Sequence, residues 1–252
     1  MPDPTHQIGL LERAGKLLFR LRSFTPLPVI LAGLLLSWRA QVHAGLGGPE
    51  VDSALNVLGV VLCALGSTIR FLTVGFTPRS NSQTRIVSTG QLLIEGPYAL
   101  VRHPLYLGNA CITLGLLAIV DQLAAWLVVS CFFLVSYALI IHAEEAHLRE
   151  KFGPGWERWA RRVPSLWPRL NAREALRGLP FDWKTAVRRE ITPFVSWAAG
   201  AQLLLGWEWW ARGELTTPLA HRLWAGLAAL LVLLLGNKLS KPKKGAIHDL
   251  RP

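Results

Sequence analysis

Apolar blocks of membrane-crossing length divide this chain, and they restrict its fold more than any other feature. One of them, Val51 to Phe76, is long enough to cross a bilayer with tilt. Inside hydrocarbon each backbone N–H and C=O needs a partner within the protein, so blocks of this kind read as helices. The others are Phe24–Trp38, Leu105–Val120, Leu123–Ile141, Ile191–Ala211 and Pro218–Leu239. Apolar residues make up 51% of the chain, and it is their segregation into blocks that argues against an ordinary soluble domain. The formal charge of +11 sits mainly between the blocks and forms no single basic face. Anionic lipid headgroups, not nucleic acid, are therefore the expected counter-charge. Cys63, Cys111 and Cys131 lie inside apolar blocks and form no C-x-x-C pair, which points to reduced packing residues and away from a disulfide framework or a zinc site.

Charge sets the expected orientation. The arm from Met1 to Ser23 carries Arg13, Lys16, Arg20 and Arg22 and reads as an interfacial arm or amphipathic helix. The block after it is short and ends in Val42-His43-Ala44, so a cleaved signal peptide competes with a membrane anchor; the long region before the block favours the anchor. The connection between the second and third blocks, the stretch Lys151–Glu190 and the C-terminal tail are also basic. Ala44–Asp52, the Asp121-Gln122 turn and Arg212–Thr217 carry little Lys or Arg. Six spans with both termini cytoplasmic satisfy the positive-inside rule at every connection. The expected fold is thus an all-α polytopic membrane protein of about six membrane-embedded helices, with a helical hairpin and cytoplasmic interfacial helices. Arg70, near the cytoplasmic end of its block, is expected to snorkel.

Two polar clusters stand at one end of that hairpin. The Asp121-Gln122 turn is too short for anything but antiparallel neighbours, so Gly96–Asn109 before the third block and His142–His147 after the fourth fall at the same end. Polar groups at a membrane edge are expensive unless they bind something. Pro104 suits the first position of a helix, with His103 as cap, and the free N–H groups there together with Arg102 can hold a carboxylate or phosphate. The plainer reading has Arg102 snorkelling to lipid phosphate, His103 only capping, and the tyrosines in an aromatic belt. In the second cluster Glu145 has Arg149 and His142 one helical turn away, whereas Glu144 has Ile140, Ile141, His147 and Leu148. Glu144 is therefore the expected ligand-facing acid, needing a cation such as a ligand amine or sulfonium, and Glu145 the structural one. A metal site fits poorly, because His142 and His147 lie on different helix faces and the order is not H-E-x-x-H.

The run G-P-Y-A-L-V-R-H-P-L-Y-L-G from Gly96, the Glu144-Glu145 pair, and Phe152 to Pro164 (F-G-P-G-W-E-R-W-A-R-R-V-P) resemble the isoprenylcysteine carboxyl methyltransferase and phospholipid methyltransferase superfamily. The resemblance implies an integral membrane enzyme using S-adenosylmethionine without a Rossmann domain, and no G-x-G-x-x-G follows a strand pattern here. It covers about Val51 to Pro168 and divides the chain into residues 1–50 (arm and first membrane helix), 51–170 (methyltransferase core) and 171–252 (basic interfacial segment, two further membrane helices and a Lys-rich tail). Carried over by position, it implies a cofactor pocket of Gly90, Gln91, Leu92, Leu93, Tyr98, His103, Pro104, Leu105, Tyr106 and Glu144. From the reading of the residues themselves, Arg102 and Glu145 are the expected catalytic residues and no metal is expected. Two departures bear on the acceptor. Ile140 stands where the carboxyl methyltransferases have a substrate-contacting arginine, and Trp156 and Trp159 replace a Y-x-x-Y, which suggests a more apolar acceptor or a stronger interfacial anchor. The expected reaction is direct methyl transfer to a lipophilic acceptor (lipid amine, carboxylate or thiol), with Glu145 or His142 available to take a proton from an amine. A non-enzymatic lipid-binding or transport protein of the membrane is the alternative.

Overall fold

The computed structural model describes Leu31 and residues 48–77, 92–169 and 179–240. Within these residues the chain is all-helical. Its helices are α1 (Pro49–Phe76), α2 (Pro97–Leu100), α3 (Pro104–Val120), α4 (Leu123–Phe152), α5 (Pro154–Arg162), α6 (Trp183–Ala211) and α7 (Thr217–Leu239). The arm, the first apolar block, Gly90, Gln91 and the Lys-rich tail lie outside the described residues.

Sequence chemistry explains the punctuation. Proline opens α1, α2, α3, α5 and α7, where its missing N–H costs nothing and its fixed φ is already helical. Asp121 adopts the left-handed conformation (φ 44°) and its N–H bonds to the Leu117 carbonyl, which stops α3 and sends the chain straight back as α4. Gly153 (φ 49°, ψ −128°) breaks α4 from α5 in a conformation that L side chains rarely adopt. Asp182 caps α6, its carboxylate accepting the Thr185 N–H at 3.1 Å.

Three helices are long and apolar enough to cross a membrane: the stretches Glu50–Phe76, Leu123–Phe152 and Thr217–Leu239. The apolar α3 is shorter, and α6, though 29 residues long, is not in this group. Leu127, Val128, Leu134 and Val135 on α4 and Leu231, Val232, Leu233 and Leu235 on α7 are exposed, an outer surface suited to lipid and not to water. At about 1.5 Å per residue α4 is about 45 Å long, more than the ~30 Å hydrocarbon core. Its polar end, from His142 onward, extends past the apolar stretch.

Close backbone contact between α1 and α3 forms the centre. A methyl group at Gly59 would stand 2.5 Å from the Gly115 carbonyl oxygen, and one at Gly115 2.5 Å from the Gly59 carbonyl oxygen. Gly66 and Gly108 oppose one another in the same way. Both helices thus carry glycines seven residues apart on the contact face, and the antiparallel axes approach as small-residue membrane interfaces do. Around this seam pack Cys63, Ile112, Leu116, Leu117, Val129, Trp197 and Leu204, drawn from α1, α3, α4 and α6. The Trp197 indole N–H donates to the Ser67 hydroxyl at 2.6 Å.

Ion pairs then tie α6 along α1. At one end Arg212 meets Asp52 at 2.9 Å and Glu208 at 2.5 Å, with Asn56 bridging the two carboxylates. Toward the other end Arg70 does not snorkel, contrary to the expectation from its position. Its Nε and Nη2 donate to the two Glu190 carboxylate oxygens at 2.8 and 3.1 Å, and both side chains are nearly buried. A buried counter-ion within reach replaces the long excursion to water that snorkelling would need. Beyond it, the Asp182 N–H bonds to the Gly75 carbonyl, and the Phe181 and Trp183 rings pack at a tilt against Phe71, each with its centroid 5.6 Å away.

The seam predicts that Gly66→Leu and Gly115→Leu each destabilise the detergent-solubilised protein by about 1–3 kcal/mol or more. Gly236→Ala, at a position with nothing within 4 Å, should leave the melting temperature nearly unchanged. Thermal unfolding of the three variants side by side checks this.

Candidate functional site

The residues between α2 and α3 are held from behind. The N–H groups of Arg102 and His103 donate to the carbonyls of Pro164 and Ser165 at 2.8 and 3.1 Å, and the Arg169 N–H donates to the Leu100 carbonyl at 2.9 Å. The segment following α5 therefore acts as a backbone splint for the Arg-His turn. Pro104 starts α3 immediately after it, so His103 occupies the N-cap position, yet its side chain makes no capping bond. The ring is used elsewhere.

It turns toward the end of α4. His103 Nε2 lies 3.0 Å from Glu145 Oε1, and Arg102 Nη1 reaches the same oxygen at 2.6 Å. The Tyr106 hydroxyl donates to Glu144 Oε2 at 2.8 Å, and His103 Nδ1 stands 3.7 Å from that oxygen, too far for a hydrogen bond. The His103 and Tyr106 rings stack at 5.4 Å. Each carboxylate of the pair thus meets a different side of one His-Tyr stack. The Glu145 carboxyl, raised by burial, is brought below its ordinary value by the His103 hydrogen bond and the Arg102 charge, which outweigh that burial.

The side chains line an open cleft at this end of the hairpin. Its walls are Leu92, Leu93, Tyr98, Arg102, His103, Pro104, Leu105, Tyr106, Glu144, Leu148 and Trp159. All the described residues of the expected cofactor pocket are among them. Glu145 is not a wall residue; it stands behind Arg102 and His103.

Several details differ from the sequence reading. The cations of Glu145 come from across the hairpin, not from its own helix: His142 is exposed, and the Arg149 guanidinium lies 4.8 Å from the centre of the Trp156 ring. Burial at the hairpin's end makes the cross-helix pair stronger than a solvated pair one turn away. Trp156 is 3% exposed, with Arg102 also over its ring at 6.0 Å, so it is an internal support for the cleft and not an interfacial anchor. Trp159 forms part of the cleft wall. Leu148, which helical spacing already places one turn after Glu144, was not expected in the pocket but lies in its wall. Ile140 is 2% exposed and packs with Tyr106 and Tyr137 beneath the cleft.

Fold and site together define a membrane protein, all-helical in the described residues, with a cleft at the polar end of a helical hairpin. Comparison with known proteins names the class. The family model described as phospholipid methyltransferase matches residues 55–155, from α1 to the start of α5. Over 172 residues, 67% of this chain, the sequence is 30% identical to the cobalt-zinc-cadmium resistance protein CzcN of Cupriavidus metallidurans and covers 74% of it. Over 81 residues, 32% of this chain, it is 33% identical to the nickel-cobalt-cadmium resistance protein NccN of Alcaligenes xylosoxydans xylosoxydans and covers 38% of it. No solved structure matches. The chain belongs to the phospholipid methyltransferase family, within the superfamily that also holds the isoprenylcysteine carboxyl methyltransferases.

Loss of the Glu145 charge leaves Arg102 without its counter-ion and gives His103 only a neutral amide to meet. Glu145→Gln should destabilise the protein by about 1–3 kcal/mol at neutral pH. A lowered carboxyl contributes its stability above the unfolded value, about 4.3, and loses it as pH falls through the folded value. The difference in melting temperature between the parent and Glu145→Gln should therefore narrow below about pH 4. Thermal melts from pH 3 to 8 measure it.

Proposed function

We infer that this protein is an integral membrane methyltransferase that uses S-adenosylmethionine and acts on a lipophilic acceptor, a lipid amine, carboxylate or thiol. The observation that carries the reading is the cleft itself. One wall places the Glu144 carboxylate beside the Tyr106 hydroxyl, and the others are mainly Leu, Pro and aromatic side chains. Among the described residues no Lys or Arg forms a salt bridge with Glu144. With a hydroxyl as its near partner among the described residues, a carboxylate in largely apolar surroundings suits a cationic ligand. The cofactor supplies an electrophilic methyl group on a positively charged sulfur.

Leu92, Leu93, Tyr98, His103, Pro104, Leu105, Tyr106 and Glu144 would hold it, with Gly90 and Gln91 completing the pocket on the strength of the resemblance. Glu144 offers the negative charge; Leu92, Leu93, Leu148 and Trp159 exclude water; Arg102 and His103 are oriented by Glu145. Holding two reactants in line within a desolvated cleft is the main catalytic contribution such a site makes. Arg102, in the wall, can meet an anionic portion of a ligand. Glu145 can accept a proton from an amine acceptor only through the His103 imidazole, because it does not itself line the cleft. Ile140 supplies no charge for a carboxylate acceptor. Two proteins similar to this one are named for metal resistance. The family model is that of a methyltransferase, and methyl transfer is the activity proposed for this site.

The proposed layout has six spans with both termini cytoplasmic, residues 51–170 as the catalytic core and 171–252 as an added hairpin and tail. Exposed Trp183 and Trp210 lie near the two ends of α6, about 40 Å apart, the distance between the two interfaces of a bilayer. The basic α5 lies on the same side as the cleft, as the positive-inside rule asks of a cytoplasmic site.

Calorimetry of the purified protein with S-adenosylmethionine tests the reading, and a lack of binding would sink it. Glu144→Gln should weaken binding by about tenfold or more, equivalent to roughly 1.4 kcal/mol, without loss of expression. Incubating membranes with methyl-labelled cofactor and separating label into lipid, protein and volatile fractions then identifies the acceptor class.

A further inference from the structure

Arg70 presents a physical problem that only α6 solves. A guanidinium nearly out of water costs several kcal/mol unless it is paired and fully hydrogen-bonded. Its counter-charge, Glu190, is 7% exposed and comes from a helix beyond the residues that the family model matches. The pair is bidentate, which leaves Arg70 Nη1 free to point elsewhere. It donates to Asn109 Oδ1 at 2.6 Å.

That contact determines what Asn109 can do next. With its oxygen committed to Arg70, the amide must present its NH₂ on the other side, where it donates to the Tyr137 hydroxyl at 2.7 Å. Tyr137, 4% exposed, lies edge-on to Tyr106 with ring centres 5.2 Å apart. Tyr106 holds Glu144 in the cleft. A continuous series of contacts thus runs from α6 through α1, α3 and α4 to the carboxylate in the cleft wall.

We propose that Glu190 is a positioning residue for the cleft: by anchoring Arg70 it orients Asn109, and through Tyr137 it fixes the Tyr106 ring that holds Glu144. The added α6–α7 hairpin is then part of the site's support and not an appendage. A pair that served only to join α6 to α1 would need no third partner. Replacing Glu190 removes the acceptor on one side of Arg70 and frees the guanidinium to turn, and the amide orientation of Asn109 is no longer enforced. The consequence for cofactor affinity rests on the function proposed above; the consequence for the tyrosine rings does not.

The chain contains three tyrosines, Tyr98, Tyr106 and Tyr137, so ring-labelled tyrosine yields three carbon resonances that Tyr→Phe variants assign. In the full-length protein Glu190→Gln should shift the Tyr137 and Tyr106 signals and leave Tyr98 in place, and Glu190→Asp should bring both back toward the parent. Asn109→Ala, which keeps the Arg70–Glu190 pair, should move the same two signals, and it serves if Glu190→Gln does not accumulate. In calorimetry both variants should weaken S-adenosylmethionine binding about threefold to tenfold. An unmoved Tyr106 signal in a folded variant overturns the proposal, as does a shifted signal with unchanged affinity in a protein that binds the cofactor. If the parent binds no cofactor, the proposed function fails while the tyrosine signals still decide the positioning role.

Discussion

A charge withdrawn from water must find an opposite charge inside the protein, and in this chain that requirement brings together segments far apart in sequence. Three arginines illustrate it. Arg102 meets Glu145 across the α3–α4 hairpin, Arg70 meets Glu190 on α6, and Arg212 meets Asp52 at the start of α1. Hydrophobic burial gives little direction to helix packing in a bilayer, because lipid tails are as apolar as leucine. Pairs of this kind supply the direction. They select which helices adjoin, while the Gly59–Gly115 and Gly66–Gly108 seam sets how closely α1 and α3 approach.

The three motifs carrying the family resemblance form one mechanical unit. The Arg-His turn supplies a guanidinium and an imidazole, the Glu pair supplies carboxylates, and Pro164 and Ser165, at the end of the third motif and just after it, supply the backbone oxygens that hold the turn. Gly153 makes the sharp break that returns this last stretch to the site, and Trp156 fills the space between Arg102 and Arg149. A change in any of the three would loosen the other two.

Much of this was legible in the residues. The two-residue turn at Asp121 placed both polar clusters at one end, and the lack of local partners around Glu144 singled it out from Glu145. What helical spacing could not show was anything decided between helices. Arg149 lies one turn from Glu145 and was a reasonable partner for it, but only the assembled structure puts Arg102 and His103 closer and in a less solvated place. Arg70 read as a snorkelling residue because its counter-ion lies 120 residues away in sequence. Trp156 and Trp159 read equally well as anchors or as cleft groups, since an indole suits both a membrane interface and a packed interior. The departures at Ile140, Trp156 and Trp159 were visible from the start, but their meaning depends on which of them reach the cleft: Trp159 does, whereas Ile140 and Trp156 lie beneath and behind it.

The separate roles of the two neighbouring carboxylates bear on turnover. Glu145 spends its charge on Arg102 and His103, so that part of the site is close to neutral before any ligand arrives. Glu144 has a hydroxyl as its near partner and an imidazole 3.7 Å away, and keeps its charge directed at the cleft. In surroundings of low dielectric that charge attracts a cation more strongly than it would in water. On the proposed reaction the positive sulfur becomes a neutral thioether once the methyl group has left. Glu144 then loses the part of its attraction that depended on sulfur's charge. One carboxylate, kept apart from the local arginines, can therefore favour binding of the donor over binding of its product, which is a useful bias for a site whose other walls are apolar and indifferent to charge.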